Sequence, residues 1–303
     1  MTTLRYAIYD VFTRERLSGN PLAVVMDADG LDTETMQRIA GEFNLSETSF
    51  VLKPKNEIHQ ARVRIFTPHY EMPFAGHPTV GTAIALCETE DGDEGSRILV
   101  LEENIGPVRC AVSVVDGVRF AEFDLPQLPE RQALSTSADM VGAALGLGPH
   151  EIGFENHKVA CWSAGVPYVT VPVANLEAAA RAKLNVDAWG QIAPQKSDVA
   201  YASAYIYTRE TVHHDSAFHS RMFVHGSPSY EDPATGSAAA AFSGAVVEFD
   251  EPVDGKLEIW IEQGIEMGRA SRLRLEIEID QQAIKSARIG GHAVKIAQGE
   301  LLV

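Results

Sequence analysis

The chain has 303 residues, enough for two domains or one large one with a sizeable core, and its composition is that of a globular protein, 45% hydrophobic and 22% charged. Its 25 Lys and Arg against 42 Asp and Glu give a formal charge of −17, which argues against nucleic acid or an acidic membrane surface as partner. Cys87, Cys110 and Cys161 are odd in number, widely spaced and form no C-x-x-C, so neither a disulfide framework nor a thiolate zinc site is expected. The opening MTTLRYAIYDVFT lacks the blocks of a signal peptide, and no apolar run is long enough to span a bilayer. The expected location is the cytoplasm.

In chain order, LRYAIYDVF (residues 4–12) is rich in β-branched and aromatic residues and reads as a strand. A turn at Ser18-Gly19-Asn20-Pro21 leads to a second strand, LAVVM. In LDTETMQRIAGEFN, Met36, Ile39, Ala40 and Phe43 fall at i, i+3, i+4 and i+7, one stripe of an amphipathic helix, with Asp32 or Thr33 placed to cap it. A polar break, NLSETSF, enters a strand at Phe50, and the alternating ARVRIFT delivers the chain to EMPFAGHPT. EGSRILVLEEN and GVRFAEFDL are further strands. In the second half, CWSAGVPYVTVPV, YASAYIYTRE and SRMFVHG read as strands, the last leading to EDPATGS, and alternating strands fill the final third. His213, His214, Asp215, His219 and His225 cluster locally, but their spacing matches no metal-ligand pattern, and the segment reads as a solvated loop. Trp162, Trp189 and Trp260 read as packing residues.

The chain carries two sets of matching segments. EMPFAGHPTVGTA (71–83) and EDPATGSAAAAFS (231–243) align Glu71 with Glu231, Pro73 with Pro233 and Gly76 with Gly236, all at one offset (231 − 71 = 160). Gly19 and Pro21 align with Gly165 and Pro167 at another (165 − 19 = 146). Two matches in the same order imply two similar domains with no low-complexity linker, dividing near LPQLPE. The expected partition is 1–117, joined by the last strand at 294–303, and 118–293. Each Gly-polar pair opens a helix with small or apolar residues on almost every face, as a helix buried on all sides requires. The first N–H groups of such a helix lack intrahelical partners and sit at its positive end, a ready anion site. Two such ends facing one cleft between domains would cradle a small carboxylate-bearing substrate.

SGNPLAVV, NLSETSFV, PFAGHPTVGTA and EDPATGSAAAA together resemble the PhzF-like isomerases of phenazine biosynthesis, relatives of diaminopimelate epimerase, over nearly the whole chain. The resemblance implies an α+β fold of two pseudo-symmetric domains, each a mostly antiparallel sheet curled around a central helix. It also implies a cofactor-free, often homodimeric isomerase that moves a proton on a small metabolite, with dihydro-hydroxyanthranilate isomerisation the nearest activity. By that resemblance Glu47 is the general acid/base, while Gly76, His77, Asp232, Gly236 and Ser237 bind substrate. Burial in an apolar cleft would raise a carboxyl pKa toward neutrality and suit it to proton shuttling. The dipole of the helix that His77 opens favours a neutral ring. The epimerase relatives carry a cysteine before each helix glycine; here Ala75 and Thr235 stand there, so a two-thiol mechanism is excluded by residue type. The alternatives are an epimerase of another amino-acid-like metabolite and a binding protein that has lost catalysis. No metal or nucleotide is expected, since no P-loop or G-x-G-x-x-G after a strand is present.

Overall fold

A computed structural model describes residues 3–89, 95–197, 200–226 and 228–303. Glu94, included above in a strand, lies outside them. Among the described residues, no helix is long and apolar enough to cross a membrane. The chain divides into two compact units, residues 1–126 with 289–303 and residues 127–288.

Unit 1 runs β1 (Thr3–Val11), β2 (Asn20–Val25), α1 (Thr33–Phe43), β3 (Glu47–Leu52), β4 (Ala61–Phe66), β5 (Glu71–Met72), α2 (Gly76–Thr89), β6 (Arg97–Glu103), β7 (Gly106–Val115) and β8 (Val118–Asp124). Asp32 caps α1 by accepting the Thr35 N–H at 2.8 Å. Met36, Ile39 and Ala40 of its apolar stripe are buried against Val25, Phe50 and Phe66. The turn into β2 requires glycine: Gly19 has φ +66°, and a Cβ there would lie 2.4 Å from the Val11 carbonyl oxygen.

Unit 2 runs β9 (Glu130–Gln132), α3 (Ala138–Leu145), β10 (Ala160–Ser163), β11 (Pro167–Pro172), α4 (Leu176–Arg181), α5 (Val186–Gly190), β12 (Gln195–Ser197), β13 (Ala200–Tyr201), β14 (Ser203–Thr208), β15 (Phe218–Val224), β16 (Tyr230–Asp232), α6 (Gly236–Asp250), β17 (Gly255–Gln263) and β18 (Ser271–Asp280). The last strand, β19 (Ala283–Leu302), starts in unit 2 and pairs antiparallel with β1 through its later residues.

Within unit 1 the pairings close on themselves. β1–β2, β3–β4, β6–β7 and β7–β8 are antiparallel, β2–β3 and β4–β6 parallel, and β19 joins β8 and β1. The result is a barrel-like, strand-dominated unit. α2 packs against β1, β2, β3, β6, β7 and β8, and from Gly76 to Ala85 it is buried throughout. Such a helix has no solvent face to make polar, which explains the run GHPTVGTAIA.

Unit 2 uses the same order of pairings: β10–β11 antiparallel, β11–β14 parallel, β14–β15 antiparallel, β15–β17 parallel and β17–β18 antiparallel. α6, buried from Gly236 to Val246, packs on β9, β10, β11 and β18. Val171 of β11 and Ile206 of β14 belong to a separate core built with residues of α3, α4 and α5, among them Trp189.

Two hydrogen-bonding devices recur in both units. The Arg64 guanidinium forks onto Glu71 (2.7 and 2.6 Å), and Arg221 forks onto Glu231 (2.8 and 2.9 Å), each steadying the short strand before the helix. The Glu102 carboxylate gathers the N–H groups of Lys55 and Asn56 and the His59 ring; Glu262 gathers those of Val212 and His213 and the His219 ring. His219 therefore departs from the solvated loop expected of the histidine cluster: it lies in β15 and is 1% exposed. Its two ring nitrogens face Glu262 and Glu266, each at 2.9 Å. Burial opposes its charge, but the two carboxylates outweigh burial and raise its pKa to about 9.

Candidate active site

In unit 1 the structure brings Glu47, Gly76 and His77 together. β3 starts at Glu47, which the parallel ladder pairs with Leu22 of β2. α2 starts at Gly76, so His77 occupies its first turn. His77 Nδ1 lies 3.3 Å from Glu47 Oε2 and 3.3 Å from Asn20 Nδ2. The ring is 4% exposed, and burial above all lowers its pKa to about 3, against a weaker opposing pull from the Pro21 backbone. His77 is therefore neutral at physiological pH, as the helix dipole led us to expect, but burial is the first cause. Nδ1 is thus the ring atom that both the Glu47 carboxylate and the Asn20 amide approach. Tyr70 stands near the same carboxylate: its phenol pKa is raised first by burial and second by the Glu47 charge.

In unit 2, Asp232 ends β16, and its carboxylate accepts the Thr235 hydroxyl just before α6. Gln263 braces that turn, donating to the Asp232 carbonyl (2.8 Å) and the Thr235 hydroxyl (3.1 Å). Gly236 and Ser237 open α6, and Ser237 Oγ is 2.7 Å from the Tyr168 hydroxyl. Asp232 and Ser237 are 6% and 8% exposed, so neither is an ordinary surface polar group.

Sequence reasoning passed over Asn20, Tyr70, Tyr168 and Gln263. Asn20 and Tyr168 lie in or beside the two matched glycine–proline turns, and that placement was the available signal. Tyr70 and Gln263 carried none, because their roles arise only from strand pairing.

Among the described residues one further cluster has a metal-like composition: Glu155, His157 and Asp250. Arg209 already serves it as the cation, with guanidinium contacts to Asp250, Glu155 and His157 Nε2. The donor set is thus that of a structural ion pair.

A neutral histidine in the first turn of a buried helix thus meets a carboxylate at the start of β3, in a strand-dominated mixed fold. The chain belongs to the phenazine biosynthesis-like family, PhzC-PhzF, whose model matches residues 9–299. It is 66% identical to an uncharacterized isomerase of Mesorhizobium japonicum over the full length of both chains. It is 36% identical to trans-2,3-dihydro-3-hydroxyanthranilate isomerase of Pseudomonas aeruginosa, covering 97% of this chain and 98% of that one. Among solved structures, a PhzF-family phenazine biosynthesis protein of Bacillus anthracis superposes with a TM-score of 0.88 at 30% identity over the whole of both chains. A hydroxyproline epimerase of Agrobacterium vitis shares the fold alone, with a TM-score of 0.62 at 11% identity over 99% of this chain and 92% of that one.

Proposed function

We propose that the protein is a cofactor-independent isomerase that moves a proton on a small carboxylate-bearing metabolite, of the trans-2,3-dihydro-3-hydroxyanthranilate isomerase type. Glu47 accepts a proton from one carbon, the electron pair shifts along the conjugated system, and Glu47 returns the proton to another carbon. Composition is unchanged and no redox partner is needed. The observation that carries this is the 3.3 Å approach of Glu47 Oε2 to His77 Nδ1 at the first turn of α2. It sets a carboxylate beside a neutral imidazole in the first turn of a buried helix. The family membership and the P. aeruginosa relative support the same chemistry.

His77, Gly76, Asp232, Gly236 and Ser237 bind the substrate, its carboxylate facing helix N-terminal N–H groups. The recurring pairings and hydrogen-bonding devices support reading the two units as pseudo-symmetric copies, each a sheet curled around one helix. The protein acts in the cytoplasm as a homodimer, which light scattering on the purified protein checks.

The test is deuterium incorporation from heavy water into trans-2,3-dihydro-3-hydroxyanthranilate. The wild type incorporates label, with or without EDTA. Glu47→Gln, which keeps size and hydrogen-bonding reach, loses about 10²–10⁴ of the rate and little affinity. Loss of activity in EDTA, or near-normal turnover in Glu47→Gln, overturns the proposal. Label at a single carbon with inverted configuration identifies an epimerase, and binding with no exchange a catalytically inactive protein.

A further inference from the structure

Behind the helix start that carries Gly76 and His77 lies a carboxyl group for which the proposed chemistry has no use. Glu103 ends β6 and is 6% exposed. Its Oε1 is 2.7 Å from the Thr79 hydroxyl of α2, and its Oε2 is buried without a hydrogen-bond partner. The Thr79 hydroxyl is also 2.7 Å from the Ala75 carbonyl oxygen. Two oxygen–oxygen contacts of 2.7 Å need two protons, and a hydroxyl brings one. Ala75 O has none to give. If Glu103 were ionised, one contact would set lone pair against lone pair, and the bare Oε2 would be a buried, unpaired charge.

The matching position of unit 2 supports the same conclusion. At the offset that relates the two glycine motifs (263 − 103 = 160), the last residue of β17 is Gln263, a neutral isostere. Its amide braces the turn before α6 by donating to Thr235 Oγ1 and the Asp232 carbonyl. Both helix starts thus rest on a neutral, proton-donating side chain from the end of a strand.

We propose that Glu103 is held as a neutral carboxylic acid and is a positioning residue: it donates to Thr79 Oγ1, which donates to Ala75 O, fixing the first turn of α2. The protonation stands on this geometry alone; its value for catalysis rests on the function proposed above. Burial raises the Glu103 pKa to about 8, against a smaller lowering by Thr79. From β7 the Cys110 thiol faces it, pushed well above its usual range by burial first and the Glu103 charge second, with Asp124 of β8 and Cys87 of α2 acting on the same thiol. Among the described residues no cation contributes to its ionisation.

The linkage sign is fixed by the direction of the shift. A carboxyl whose folded pKa lies above its unfolded value of about 4.3 contributes stability that is fully present below the unfolded value and is lost as pH rises through the folded one. The experiment compares the wild type with Glu103→Gln, which keeps a donor to Thr79. Infrared difference spectra of protein labelled with ¹³C-carboxyl glutamate show a protonated-acid band in the wild type. That band disappears near pH 8 and is absent from Glu103→Gln. The wild type loses stability to urea relative to Glu103→Gln as pH rises from about 4.5 through 8. The ¹⁵N signals of the neutral His77 ring shift with the same midpoint in the wild type and stay flat in Glu103→Gln. Absence of the band at pH 6, or stability and His77 signals that follow the same pH course in both proteins, overturns the proposal. No substrate enters these measurements, so a failed deuterium test leaves them standing, and the converse holds.

Discussion

The duplicated carboxylate that gathers a loop makes a quantitative prediction, because its two copies share wiring and differ in burial. Glu262 Oε1 accepts from Val212 N (2.6 Å) and His219 Nδ1 (2.9 Å), and Oε2 from His213 N (2.9 Å). Glu262→Gln leaves one acceptor oxygen and turns an amide N–H₂ toward a donor. It also removes one of the two carboxylates that hold His219 charged. The side chains of Glu262 and His219 are 0% and 1% exposed, and breaking a buried pair on one side costs about 3–5 kcal/mol. Urea unfolding at pH 6 should give Glu262→Gln an unfolding free energy in water lower than that of the wild type by that amount. The same change at Glu102, whose side chain is 14% exposed beside His59 at 18%, should cost clearly less. His219 adds a pH signature. Its folded pKa, raised to about 9, means that its contribution is fully present below the unfolded value of about 6.5 and is lost as pH rises through 9. The wild type should therefore lose stability across that window, and Glu262→Gln much less. A loss below about 1 kcal/mol, or a larger loss in Glu102→Gln than in Glu262→Gln, refutes the reasoning.

Gly244→Ala would put a Cβ 2.3 Å from the Trp162 ring and should destabilise by about 1–3 kcal/mol through overpacking, whereas Gly30→Ala, where a Cβ meets nothing within 4 Å, should be near neutral in the same urea titration. The His77 ring, its folded pKa lowered to about 3, should show no imidazolium by NMR between pH 5 and 8. Because the unfolded chain binds that proton from about pH 6.5 downward, stability should fall with acidification below 6.5; an imidazolium at pH 6 in the native protein would contradict the burial argument.

What was legible in the sequence had a local cause. The stripe of Met36, Ile39 and Ala40 and the Asp32 cap follow from the 3.6 period and the first orphan N–H groups of a helix, and both appear in the structure. The glycine–polar pairs do open α2 and α6. What was missed depends on strand pairing. His219 read as loop because its polar neighbours hide the strand, and the carboxylates that make its burial tolerable come 43 and 47 residues later. The arginine–glutamate forks escaped notice because Arg64 precedes Glu71 by seven residues and Arg221 precedes Glu231 by ten, which breaks the 160-residue offset. Asn20 read as a turn residue, and only the fold carries its amide to His77, 57 positions away.

The recurrence of pairings also bears on how many acid–base groups the chain provides. The matched prolines Pro21 and Pro167 align Leu22 with Tyr168 in the sequence. In the parallel ladder of β2 and β3, Leu22 is partnered by Glu47; in that of β11 and β14, Tyr168 is partnered by Ser203. Glu47 and Ser203 are each the first residue of their strand. The recurring ladder therefore repeats the strand start but not the carboxylate, and a serine hydroxyl does not hold and return a proton near neutral pH. Ser203 has a structural use instead, since its Oγ accepts the His225 N–H at 3.2 Å. Ser203→Ala should cost about 0.5–1.5 kcal/mol of stability and leave the rate of deuterium incorporation close to wild type. Glu47→Gln should behave in the opposite way, with stability nearly kept and the rate down by about 10²–10⁴. If folded Ser203→Ala loses as much rate as Glu47→Gln, both copies take part in the chemistry, and proton transfer by one glutamate is wrong.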